Sequence, residues 1–232
     1  MNLNSQLDKI LFKGVLEELT KAEKYWALGE EIARNAHATN RSRVAGLFGD
    51  MQRLYAGQIT LALCRAFEPT SPNYPIRSIP AALDFLNTHA SNLRIIRKDF
   101  VLGKLASYGL PESELAGMSD VRITRAVHSH FVATLPTIKN PDELSQSLVA
   151  LKSARDKSLA HREAIEIQDL PKTSYKNVYR LIQFVREFLE IVGSGYTDLN
   201  YSSDPDWFAA SSAQKLASDL KWLLLRARIV NH

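Results

Sequence analysis

The chain has 232 residues, 45% apolar and 23% charged, with a net charge of +4 and a single cysteine, Cys64. This composition suits a folded globular protein and excludes wholesale disorder, an internal disulfide and a cysteine-built zinc site. No run reaches the roughly eighteen apolar residues of a membrane span, and MNLNSQLDKILFKG lacks a basic region followed by an apolar core, so a cytoplasmic location without anchor or secretory signal is expected.

The spacing predicts a first helix from about Ser5 to His37, with Leu7, Leu11, Val15, Leu19, Ala22 and Trp26 on one stripe and Ser5 as cap. A second runs from about Val44 to Phe67, with Leu47, Met51, Leu54, Ile59, Ala62 and Ala66 as its apolar face. Cys64 reads as a core residue there. EPTSPNYP ends that helix, because proline removes a donor and blocks the preceding turn. SIPAALDFLNTHASNLRIIRKDF opens the next, with Ser78 as cap, Pro80 in the first turn and Leu83, Leu86, Ala90 and Leu93 repeating.

A break near Gly109-Leu110-Pro111 precedes a short helix and then one from about Ser119 to Leu135. Asn140 and Pro141 should start the helix that carries Leu144, Leu148 and Leu151. A strongly apolar helix follows from about Ser174 to Val192, with Gly193 and Gly195 as stop signals. The last helix begins near Pro205, capped by Asp204. With no repeat, no long linker and no convincing strand, the expectation is a single all-α domain over residues 1–232, a bundle of seven to eight helices.

The chain has no Gly-rich phosphate loop, no His-Glu-x-x-His, no cysteine pair and no G-x-S-x-G, so no metal or cofactor is expected. His128 and His130 point in different directions on a helix and make a poor ligand pair. Trp26, Trp207 and Trp222 sit in amphipathic stretches and read as packing residues, while Tyr175 and Tyr179 could border a site. One position breaks the pattern. The stripe Leu144, Leu148, Leu151 continues to Arg155, where another leucine would fit. A guanidinium on an apolar face needs a carboxylate, a phosphate or a second chain. Asp156 follows it, and His161 comes six residues later. Between Lys152 and Arg186, eight basic residues face four acidic ones, an excess equal to that of the whole chain.

RDKSLAHRE resembles the signature of the HEPN superfamily, an Arg with a polar neighbour, four to six intervening residues and a His. Arg122 with His128, and Arg125 with His130, also satisfy that spacing. Arg155 is preferred for its adjacent Asp156, its place on the apolar stripe and the apolar helix after it. GDMQRLYAGQITLALCRAFEP and RSIPAALDFL further resemble the AbiU-like, abortive-infection branch. The resemblance implies a helical bundle that forms a two-fold homodimer and cleaves RNA without metal, possible partners being RNA and a protein antitoxin. It implies Arg155, His161 and Asp156 as catalytic residues, with Lys157 and Arg162 holding substrate. His suits proton transfer near neutral pH, and Arg suits the charge that grows on phosphoryl oxygens. On an unbroken helix, however, six residues rise about 9 Å and turn roughly 120° away from the start. Either the helix loosens before His161, or both copies of a dimer contribute to one site. The alternatives are a non-catalytic binding module on the same basic face, or an Arg155 that serves only a structural ion pair.

Overall fold

In a computed structural model of the chain, residues 2–136, 142–160, 173–198, 200–201 and 208–230 are described. They are all-α, with no strand among them. α1 (Leu3–Ile10) passes through a π-helical stretch, Leu11–Leu16, directly into α2 (Glu17–Arg34), followed by the short α3 (Ala36–Arg41) and the long α4 (Ala45–Ala66). Next come α5 (Ile79–His89), α6 (Lys98–Ser107), α7 (Glu112–Leu115), α8 (Asp120–Thr134) and α9 (Glu143–Ala154). α10 (Tyr175–Phe188) continues through a second π-helical stretch, Leu189–Gly193, into α11 (Ser194–Tyr196), and α12 (Phe208–Arg226) completes the order. Among the described residues this makes ten continuous helical rods, eight of them long, in line with the seven to eight expected. No described helix is long and apolar enough to cross a membrane.

α2 and α4 form an antiparallel pair. Glu18 reaches Arg65, Tyr25 meets Tyr55, and Ile32 packs with Phe48, so early residues of one helix face late residues of the other. The main core gathers Leu7, Leu11, Val15, Leu19, Ala22 and Trp26, the stripe predicted for the first helix, with Leu83, Leu86, Phe131, Leu148, Leu151, Leu181 and Val185. A smaller cluster of Ile32, Phe48, Tyr55 and Leu224 joins α2, α4 and α12. Cys64 is buried in the main core, and burial pushes its thiol up to about 11.

Several sequence expectations are corrected. The first cap is Asn2, whose side chain accepts from the Asn4 amide at 3.1 Å, not Ser5. α4 buries Phe48, Tyr55, Ile59, Ala62, Leu63 and Ala66, leaving Leu47 and Leu54 more than half exposed. The two aromatic rings outweigh the leucines because they bury more area against α2. The helix opened by Ser78 stops at His89. Beyond it, Ile96 N–H donates to Gly195 O, and Asn4 Nδ2 donates to Arg94 O and Tyr196 O, so tertiary bonds replace helical ones. The start of α9 is capped by Asp142, which accepts from Ser145 N–H at 2.7 Å; Asn140 and Pro141 lie outside the described residues, as do Asp204, Pro205 and Trp207. Gly193 and Gly195 do not stop the helix. A Cβ on Gly193 would collide with the Tyr201 ring, and one on Gly195 with Val101, so these glycines permit close packing. Trp26 is buried as expected, but Trp222 is half exposed.

Candidate functional site

Arg155 stands where α9 changes character. α9 ends at Ala154, and Arg155–Ala160 are π-helical, with i→i+5 bonding that widens the turn. Leu148 and Leu151 remain in the core below it. The Arg155 side chain is about three-quarters buried. Its Nη1 donates to Glu68 Oε2 at 2.7 Å and its Nε to Asp156 Oδ1 at 2.7 Å. The hydrogen bond with Asp156, then Glu68, outweighs burial and pushes the guanidinium pKa further up, so the group is a permanent cation. Nη2 makes no hydrogen bond among the described residues.

Glu68 comes from a distant part of the chain. It follows α4 by two residues, in the segment AFEP. Its carbonyl accepts from Ser78 Oγ at 2.6 Å, and the same Oγ caps α5 by accepting from Ala81 N–H. Lys152 Nζ reaches Phe67 O at 3.5 Å. The end of α4, the start of α5 and the end of α9 therefore converge on Glu68. Gly14 closes the arrangement from the other side. It lies in the first π-helical stretch, and a Cβ there would collide with the backbone of Arg77, so only glycine lets that loop press against the helix.

These elements enclose an open cavity of about 550 Å³. Lys13, Arg65, Arg77 and Arg155 line it against two carboxylates, Glu18 and Glu68. Glu18 bonds Lys21 at 2.8 Å and stands 3.8 Å from Arg65. Lys13 and Arg77 are exposed and form no ion pair among the described residues. The balance leaves two cations in excess, which suits a phosphate or another anion.

The structure thus brings Arg155 and Asp156 into direct contact, while Lys157 is half-buried and does not line the cavity. His161 and Arg162 lie outside the described residues. Up to Ala160 the helix does loosen, which is one of the two routes the spacing left open. Sequence reasoning missed Glu68, Arg65, Arg77 and Lys13. The signal for Glu68 was an acid placed just beyond a helix end and ten residues before a capping serine.

The other histidines belong elsewhere. His130 stacks on Tyr108 with ring centres 3.8 Å apart and meets Phe131 edge-on. Tyr108 Oη donates to Glu187 Oε1 at 2.5 Å. Burial lowers the His130 pKa against the opposing pull of Glu187. Neither His128 nor His130 lines the Arg155 cavity. Tyr175 stacks on Trp26 at 3.8 Å, and Tyr179 borders a separate cleft between α2, α10 and α12. Among the described residues, no three acids, histidines or cysteines group as a metal site. Comparisons with protein-family models, with curated proteins and with solved structures find no match for the chain.

Proposed function

We propose that this chain is a metal-independent endoribonuclease of the HEPN type, working as a two-fold homodimer in a phage-defence or toxin–antitoxin setting. One observation carries the reading. Arg155, the residue that breaks the apolar stripe, sits at a π-helical turn on the rim of a cation-rich cavity, with its plane fixed by Glu68 and Asp156. Two carboxylates orient the guanidinium and leave Nη2 for a phosphoryl oxygen. An oriented cation of this kind stabilises charge that develops in a transition state without reorganising. His161 takes the proton of the attacking 2′-OH, and Lys157 and Arg162 hold the RNA backbone. As the O2′–P bond forms the P–O5′ bond breaks and the leaving 5′ oxygen takes a proton from water, so the products are a 2′,3′-cyclic phosphate and a 5′-OH.

The test is incubation of purified protein with total RNA and with tRNA in EDTA, followed by end-group analysis. Cyclic-phosphate ends that vanish in Arg155→Ala and in His161→Ala support the reading. Activity that requires Mg²⁺, or survives both changes, overturns it. A non-catalytic helical module binding RNA or a protein is the second reading. It is favoured by the fact that Glu68 and Asp156 already satisfy much of the Arg155 side chain. Absence of cleavage, with RNA affinity and salt dependence both reduced in Arg155→Ala, selects that module.

A further inference from the structure

A second arginine-lined cavity lies at the other end of α4. Arg41, the last residue of α3, Arg43, in the link to α4, and Arg228, just past α12, line one open cavity of about 650 Å³. Ala38, Ser42, Val44 and Ile229 complete its wall, and no carboxylate borders it. All three arginines are exposed, and none forms an ion pair or a side-chain hydrogen bond among the described residues. Of the other described arginines, Arg34, Arg53, Arg65, Arg155, Arg180 and Arg186 have an acidic partner and six, Arg77 among them, form no ion pair with a described residue; what sets Arg41, Arg43 and Arg228 apart is that they line one cavity. Three guanidinium groups thus share one hollow with no carboxylate among its lining residues.

Arg228 adds a second, independent oddity. Its N–H bonds Leu225 O and the Ile229 N–H bonds Leu224 O, which together close α12 with a Schellman cap. The C′ position of that cap is left-handed and strongly favours glycine. Here it is an arginine, with φ of 55°. A side chain is thus kept where the backbone alone would select none, and a local rule broken without a packing gain points to a use for that side chain. Trp222 lies on the same helix, half exposed, with the Arg226 guanidinium 5.2 Å from its ring centre. Forked guanidinium donors suit the phosphates of a strand, and an exposed ring on the same helix can stack one of its bases.

We propose that Arg41, Arg43 and Arg228 bind the phosphate backbone of single-stranded RNA, as a docking site separate from the Arg155 cavity. The identity of the polymer rests on the ribonuclease reading; the anion site itself does not. The two cavities share no lining residue. α4 separates Val44 from Arg65 by about 32 Å of helical rise. A stacked strand advances roughly 3.4 Å per nucleotide, so four nucleotides cover about 14 Å and cannot touch both, whereas twenty can.

The test measures binding of fluorescently labelled, unstructured 20-nucleotide and 4-nucleotide RNAs in EDTA, with Arg41→Gln/Arg43→Gln and Arg228→Gly made separately and together. Arg228→Gly suits the left-handed backbone, so thermal stability should hold or rise. The combined variant should bind the 20-mer tenfold or more weakly, and its log affinity should lose about 2 units of slope against log salt, for three single-strand phosphate contacts. The 4-mer can occupy only one site at a time and keeps the Arg155 cavity, so it should lose much less affinity than the 20-mer. Unchanged affinity and slope for the 20-mer overturn the proposal, as does equal loss for both lengths. If inorganic pyrophosphate raises the melting temperature through these arginines while the 20-mer is indifferent to them, the site serves a small phosphate and the RNA assignment falls. Arginine-dependent 20-mer binding by a protein that cleaves no RNA sinks the ribonuclease reading alone.

Discussion

Two arginine–glutamate pairs hold this fold together across long stretches of sequence, and they differ in what surrounds them. Arg186 donates through Nε to Glu23 Oε1, joining α10 to α2. Glu23 is 3% exposed, and its Oε2 has no hydrogen-bond partner among the described residues. Burial pushes the Glu23 pKa up against the pull of Arg186. Arg155 donates through Nη1 to Glu68 Oε2, joining the π-helical stretch after α9 to the end of α4, and Glu68 is 34% exposed. The first pair also lines a cavity, the cleft between α2, α10 and α12, but its carboxylate is almost fully buried, so loss of Arg186 strands a charge. The second leaves its arginine accessible. The two pairs therefore differ chiefly in how deeply the carboxylate is buried, which sets what the loss of each arginine costs.

The largest expected contrast is in cleavage. Arg155→Ala should lower the rate of RNA cleavage by about two to three orders of magnitude, as for loss of one transition-state donor, while costing about 1 kcal/mol or less in urea unfolding. His161→Ala should remove roughly two to four orders of magnitude if it transfers the proton. Arg186→Ala should do the opposite. Urea melts should show a loss of about 3–5 kcal/mol, because Glu23 is left buried without its cation, while the rate per folded molecule stays near wild type. Equal effects of the two arginine changes on stability would erase the distinction.

Gly193→Ala tests packing next to neither pair. The new methyl meets the Tyr201 ring, and overpacking should cost about 1–3 kcal/mol by the same melts. The smallest effect is one of pH. Since the Glu23 pKa is raised on folding, the folded state binds more protons above the unfolded value near 4.5. The stability this group contributes is complete below that value and is lost as pH rises through the folded value. Glu23→Gln should therefore flatten the decline in melting temperature over that window. An unchanged profile would show that Arg186 fully compensates the carboxylate.

Much of this was legible in the chain. Leu7, Leu11, Val15 and Leu19 recur at a period that only a helix can bury on one side, and they lie in the core. Ser78 caps where it was expected, since a side-chain oxygen and an orphan amide three residues on need nothing else, and the helix expected from about Ser119 begins there. Arg155 stood out because charge on an apolar stripe demands a partner, and it has two. Its neighbour Asp156 was legible as one of them, but its distant partner was not. Glu68 lies 87 residues away, and no local rule ties one to the other.

Local periodicity, capping and the cost of unpaired charge thus determined, from sequence alone, that the protein is all-α and that Arg155 is its odd residue. The choice of which α4 face is buried, the stop after His89, the passage of a helix through Gly193 and Gly195, and the gathering of Lys13, Arg65, Glu68 and Arg77 around Arg155 were decided only by tertiary packing. Helical rules act over three or four residues, whereas contacts between rods depend on volume, ring area and backbone approach across the whole chain.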